Sequence, residues 1–265
     1  MAKPGTGCEL CGLEPLGTRQ LKVHLEGKRH KRRLRQLAAE AAAQQPAAEE
    51  PVPKRSKREA PEPLGQVVGG VRRHLLVLDV NGLLLDRLNS TSVEPGVTPS
   101  FVYPSALGRH TRFAVFLRPH LASFLRFALT RFVVGVWSTT PMANLQPLLD
   151  RALGEALPAV AFVWGQEHCT AVEASSTGKP GFLKELSKVW AAGHGTPLTT
   201  LLLDDSRSKA ARNPAHTALH PPAFSRRAPT DDALAQGGAI RTLLEALAGA
   251  PEVPAFVLAN GGDWK

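Results

Sequence analysis

Two groups of residues in this sequence have the types and spacing to do chemistry. The first comprises a carboxylate, a hydroxyl, an amine and an acidic pair: Asp79, Ser138, Lys184, and Asp204 with Asp205. Asp79 closes the apolar run HLLVLD and is followed by the Gly-containing turn VNGLLLD. FVVGVW ends at Ser138-Thr139-Thr140, FLKELSK carries Lys184, and TTLLLDD ends in Asp204 and Asp205. Each piece alone has an ordinary structural explanation. Asp-x-Asn-Gly is turn chemistry, Ser or Thr after a strand is capping, and a helical lysine faces solvent. Those explanations do not account for the whole order, with three members at strand ends, the edge at which open α/β sheets bind ligands.

The second group is Cys8, Cys11, His24 and His30, spaced C-x2-C-x12-H-x5-H. Two thiolates and two imidazoles are the donor set of a tetrahedral structural Zn2+, and so short a segment would draw its folding energy from the metal. On an ideal helix, histidines six apart sit about 120° from facing one another, so the helix must distort, and Gly27 lies between them. The run HLEGKRH resembles the matrin-type, double-stranded-RNA-binding branch of Cys2His2 zinc fingers. That resemblance implies RNA or an RNA–protein complex as partner, read by shape more than by sequence; a protein-binding finger is equally legal chemistry. Lys28, Arg29, Lys31, Arg32, Arg33 and Arg35 surround His30, and Lys54, Arg55, Lys57 and Arg58 form PKRSKR. Charge runs are usually solvated faces, but the second run is flanked by prolines and reads as a nuclear localisation signal, and the first can serve phosphates or targeting.

Composition divides the chain in the same places. Of the net charge of +9 on 265 residues, the first 60 carry +6, from 13 Lys/Arg against 7 Asp/Glu. At 43% hydrophobic the chain can bury a sizeable core, and three cysteines are too few for a disulfide framework. The reading is a finger at 1–36, a flexible basic linker rich in Ala, Pro and Glu at 37–70, an α/β domain at 71–258 and a tail at 259–265. No signal peptide is expected, and the most apolar window, FAVFLRPHLASFLRFALTRFVVGVW, is broken by Arg118, His120, Arg126 and Arg131, which excludes a membrane span.

The elements that must position the first group follow from the apolar pattern. Strands are expected at 74–80, 131–137, 159–164 and 199–204, and helices at 119–130, 142–156, 179–192 and 232–248. Strand and helix alternating in this way predict a parallel sheet covered on both faces. The stretch 87–117 reads as a hairpin. Cys169 reads as a packing residue, His168 beside it as structural more than functional, Trp137 and Trp164 as core, and His74, His110, His120 and His194 carry no ligand spacing.

The order Asp79, Ser138, Lys184, Asp204-Asp205 resembles the haloacid-dehalogenase superfamily. FLRPHLASFLR, VWSTT and FLKELSK before LLLDDS place the resemblance in the carboxy-terminal-domain phosphatase branch, whose members act on phosphoserines of the RNA polymerase II tail. It spans roughly 71–250 and implies a Rossmann-like sheet without a large cap. Consistent with that, Arg118 follows Asp86 by 32 positions and Lys184 follows Ser138 by 46. It also implies roles. Asp79 attacks phosphorus to form an aspartyl-phosphate. Mg2+ is held by Asp79, the Asn81 carbonyl and Asp205, with Asp204 supporting. Ser138 binds a phosphoryl oxygen, and Lys184 neutralises the transferring charge.

One position departs from that pattern. The branch carries an Asp two residues after the nucleophile, as acid and base; here it is Asn81, and a Thr four residues after is Leu83. An amide cannot exchange a proton at neutral pH, and loss of a general acid–base group costs ~10²–10⁴-fold in rate. Two readings follow. One is a nuclear, Mg2+-dependent phosphoprotein phosphatase with weakened acid catalysis, recruited by its finger to RNA or an RNA–protein complex. The other is a non-catalytic phosphopeptide-binding or scaffold protein, like relatives that include the mitochondrial inner-membrane import receptor. A mitochondrial location is the alternative to a nuclear one.

Overall fold

The computed structural model describes residues 67–68, 71–108, 110–173, 181–228 and 230–261. The finger residues Cys8, Cys11, His24 and His30, both basic runs and most of the linker lie outside the described residues. A short hairpin of β1 (Val67–Val68) and β2 (Val71–Arg72) crosses the expected boundary at residue 70.

The apolar runs read as strands form a five-stranded sheet. Its order is β12 (Ala218–Leu219), β11 (Thr200–Leu203), β3 (Leu75–Leu78), β7 (Val133–Trp137) and β8 (Phe162–Trp164), with every neighbouring pair parallel. The four residues of β3 and the four of β11 are all buried, as expected of central parallel strands covered on both faces.

Side-chain alternation sorts these runs onto two cores. Leu76 and Leu78, Val134 and Val136, and Leu201 and Leu203 face one cluster; Leu75, Val77, Leu202 and Trp137 face the other. The first is closed by α1 (Leu121–Arg131), α2 (Met142–Ala152), α4 (Ala239–Leu247) and α5 (Val253–Asn260). The second is closed by Leu186 and Val189 of α3 (Leu186–Ala191) and by Ala210. Each fully buried leucine contributes roughly 1.5–3 kcal/mol. At Gly135 of β7 the ring of Phe162 crosses where a side chain would start, with Cζ 2.3 Å from the position of a Cβ.

Between β3 and α1 the chain folds into a three-stranded antiparallel sheet of β4 (Leu85–Asn89), β6 (Arg112–Leu117) and β5 (Phe101–Pro104), in that order. The expected hairpin over 87–117 therefore gains a strand, because Leu85–Asn89 continues straight out of the Asp79 turn. No helical cap is present among the described residues.

Three helix expectations are corrected. Residues 179–192 are not one helix: β10 (Gly181–Leu183) pairs antiparallel with β9 (Thr170–Val172), and α3 starts at Leu186. Apolar Phe182, Leu183, Leu186 and Val189 fit helical spacing, but the partner strand overrides it. The helix from 142 stops at Ala152 and gives way to a 3-10 segment, Gly154–Ala159, containing Pro158. The closing helix starts at Ala239 rather than 232, because the preceding residues form turns that bring Asp231 to Arg118, and a second helix, α5, follows. Among the described residues no helix is long and apolar enough to cross a membrane.

Candidate active site

Adjacent parallel strands deliver their next residues to one edge. The Asp79 N–H donates to the Leu203 carbonyl at 2.9 Å, the Asp204 N–H to Leu219 at 3.1 Å, and the Ser138 N–H to Trp164 at 2.9 Å. Asp79, Ser138 and Asp204 thus stand at the carboxyl ends of β3, β7 and β11, all buried. Lys184 arrives from the other core, directly after β10, its N–H donating to the Lys209 carbonyl at 2.7 Å. The expectation that a helix presents it is corrected.

Lys184 is fully buried, and its Nζ lies 2.6 Å from both Asp79 Oδ1 and Asp204 Oδ2. A second lysine, Lys209, completes the cluster. Its Nζ is 2.7 Å from Asp79 Oδ2, 3.1 Å from Asp204 Oδ1 and 3.6 Å from Asp205 Oδ1. Burial alone would push the Asp79 carboxyl up, but the two ammonium groups outweigh it and bring it down to about 2. Burial works against the charge on Lys209, yet Asp79 and Asp204 hold its pKa above the ordinary lysine range. At Asp205 burial wins: despite Lys209, and with Asp79 and Asp204 repelling, its carboxyl rises to about 6.

One oxygen each from Asp79, Asp204 and Asp205 lies within 4.8 Å of the others, and Asp205 Oδ1 is buried without a hydrogen-bond partner. Clustered hard oxygen donors with an orphaned oxygen among them fit a divalent cation such as Mg2+. Gly82 makes the approach of Asp205 possible: its φ is +90°, and a Cβ there would lie 2.5 Å from Asp205 Oδ2.

Ser138 offers its hydroxyl at this edge, with Oγ accepting the Thr140 N–H at 3.2 Å. Asn81 does not join the cluster with its side chain. It is exposed, and its Oδ1 accepts the Arg87 N–H at 2.7 Å, tying the turn to the middle of β4. The Asp79 turn is clamped from behind by buried Arg118, which donates to the Leu83 carbonyl at 3.0 Å and to both Asp231 oxygens at 2.8 Å. Among the residues set aside, Cys169 is half-buried, with its thiol pushed up by burial. Trp137 is buried, and exposed His168 stacks on Trp164.

Two members were missed in sequence. Lys209 had a signal, a lysine four residues beyond the acidic pair in DDSRSK. Asp231 had none, since only the fold brings it across 113 residues to Arg118.

A family model described as NLI interacting factor-like phosphatase matches residues 74–254. An uncharacterized FCP1 homology domain-containing protein of Schizosaccharomyces pombe is 28% identical over 152 residues, covering 54% of this chain and 58% of its own length. Two structures of the RNA polymerase II CTD phosphatase Fcp1, one from fission yeast with bound beryllium fluoride, align at 13% and 12% identity. Both have a TM-score of 0.44 and cover 72% of this chain and 58% of theirs. The chain thus spans less than two thirds of the length of each of these relatives.

Proposed function

Because this chain belongs to the NLI interacting factor-like phosphatase family, we propose that residues 74–254 accept a phosphoryl group onto Asp79 from a phosphorylated serine or threonine of a protein segment. The observation that carries this reading is the state of Asp79: a buried carboxylate kept ionised by paired lysines at a sheet edge that also presents Ser138.

A carboxylate oxygen of Asp79 forms a bond to phosphorus as the ester P–O bond breaks and the leaving oxygen takes up its proton. Water then attacks the same phosphorus, releasing inorganic phosphate and restoring the carboxylate. Lys184 balances the charge that gathers on the transferring group, and Ser138 donates to one of its oxygens. Mg2+ bound by Asp79, Asp205 and the Asn81 carbonyl would supply further charge neutralisation, with Asp204 orienting Lys184 from behind. Neither proton transfer has a carboxyl group at position 81, so both proceed slowly, and an aryl phosphate, the better leaving group, is turned over best.

The second reading, a phosphopeptide-binding module without turnover, rests on the same Asn81. In either case the zinc finger of Cys8, Cys11, His24 and His30 recruits the protein to RNA or an RNA–protein complex, and PKRSKR directs it to the nucleus.

A single-turnover reaction with an aryl phosphate and Mg2+, quenched in acid, separates the two readings. The expected product is a phosphorylated protein that is absent in Asp79→Asn. Phosphopeptide binding with no phosphorylated protein in the unaltered chain would establish the second reading instead.

A further inference from the structure

Lys209 takes no step in the reaction just described beyond helping to keep Asp79 ionised, yet it makes three of the contacts at the site. The two lysines divide the carboxylate oxygens between them. Lys184 meets Asp79 Oδ1 and Asp204 Oδ2 from the buried side; Lys209 meets Asp79 Oδ2, Asp204 Oδ1 and, at longer range, Asp205 Oδ1. The Lys209 set contains Asp205, whose Oδ1 is the orphaned oxygen of the cluster. The Asp205 oxygen that would be free to hold a divalent cation is thus among those that Lys209 faces.

Charge points the same way. Three carboxylates and two ammonium groups leave one negative charge, and a divalent cation added to them turns the excess positive. Without the Lys209 ammonium, the same cation brings the cluster to neutrality. Like charges a few ångströms apart in a partly buried site are strongly unfavourable, so ammonium and metal exclude one another.

The two lysines also differ in their freedom to leave. The Lys184 side chain is 0% exposed and that of Lys209 19% exposed. Lys209 stands on a 3-10 turn, Arg207–Ala210, and what it contributes to the framework is its backbone carbonyl, the acceptor of the Lys184 N–H. Its side chain can therefore move to solvent while the turn stays in place.

We propose that Lys209 is a built-in competitor for the divalent cation: its ammonium holds the cation position in the metal-free protein and must swing out for the metal to enter. The inference rests on the reading that Asp79, Asp204 and Asp205 hold such a cation. It makes metal affinity in this chain a property of the DDSRSK turn as much as of the aspartates, and it gives the site a closed state with a single excess negative charge when metal is scarce.

The test is calorimetric titration of the full chain with Mg2+ and with Mn2+, on the unaltered protein, Lys209→Met and Lys209→Arg. Lys209→Met should bind about tenfold or more tightly, with Lys209→Arg near the unaltered value, because the nearby positive charge is what weakens the metal. Equal or weaker binding by a folded Lys209→Met overturns the proposal. Heat from none of the three overturns the metal site itself, whereas binding at equal strength overturns only the competition. A second measurement needs no variant: on the unaltered chain, acylation of Lys209 followed by mass spectrometry should rise several-fold on adding Mg2+. No change there overturns the proposal even if Lys209→Met fails to fold.

Discussion

The turns that leave β3 and β11 start from neighbouring parallel strands at one edge, yet they are built for different work. The first contributes Asp79 and then turns structural. Leu83 and Leu84 are buried in the core, Asn81 binds the Arg87 N–H of β4, and Arg118 fixes the Leu83 carbonyl. The second stays polar. Asp204 holds both lysines, Asp205 reaches back against Gly82, and Lys209 returns to Asp79. The proposed nucleophile thus comes from a turn that has spent its other side chains on folding, and the charges around it come from the turn next door. Such a site is rich in electrostatic stabilisation and poor in groups that move protons.

Asn81→Asp addresses that imbalance most directly. An aspartate accepts the Arg87 N–H with one oxygen, as Asn81 does, and keeps the other for proton transfer, so the fold is preserved. Multiple-turnover hydrolysis of a phosphorylated peptide should rise by ~10²-fold or more, since general acid–base catalysis is worth ~10²–10⁴. An unchanged rate, with aspartyl-phosphate formation intact, would place the limit elsewhere than in the first turn.

Gly82→Ala breaks the contact between the turns. The side chain would meet Asp205 Oδ2 at 2.5 Å on a backbone at φ +90°, a conformation that costs about 1–3 kcal/mol for residues other than glycine. Thermal denaturation should show that loss, and Mg2+ titration a weaker site because Asp205 is pushed aside. A variant with unaltered metal affinity would mean that Asp205 is not a ligand.

These turns also show what a linear sequence discloses. Asp79, Ser138, Asp204 and Asp205 were legible because each ends a buried apolar run, and parallel topology brings such ends together without further information. Lys184 was legible as a residue but not as an element: whether Gly181–Leu183 is helix or strand depends on Thr170–Val172, a partner that periodicity does not name. Strand β12, only two residues long, carries no pattern of its own. The direction of Asn81 was hidden for the same reason, since it is decided by the backbone of Arg87 in the middle of a strand. The aspartates announce a charge problem; the fold answers it with two lysines, not one.

The smallest expected effect is a pH dependence that sets the two turns against each other. Asp79 is brought from 3.8 to about 2 in the fold, so its contribution to stability is complete above its unfolded value and is lost as pH falls toward about 2. Asp205 runs the other way, from 3.8 up to about 6. Between about 4 and 6 the folded protein holds a proton there that the unfolded chain releases, so this group's contribution is complete below about 4 and is lost as pH rises through about 6. Asp205→Asn removes that loss. Its melting temperature, measured without metal, should exceed that of the unaltered protein at neutral pH and converge on it near the unfolded value. Saturating Mg2+ should reverse the order at neutral pH, because binding stabilises only the chain that keeps its ligand. Parallel melting curves across the whole range would mean that Asp205 is no more burdened by its surroundings than a surface carboxylate, and the asymmetry between the turns would then rest on Asn81 alone.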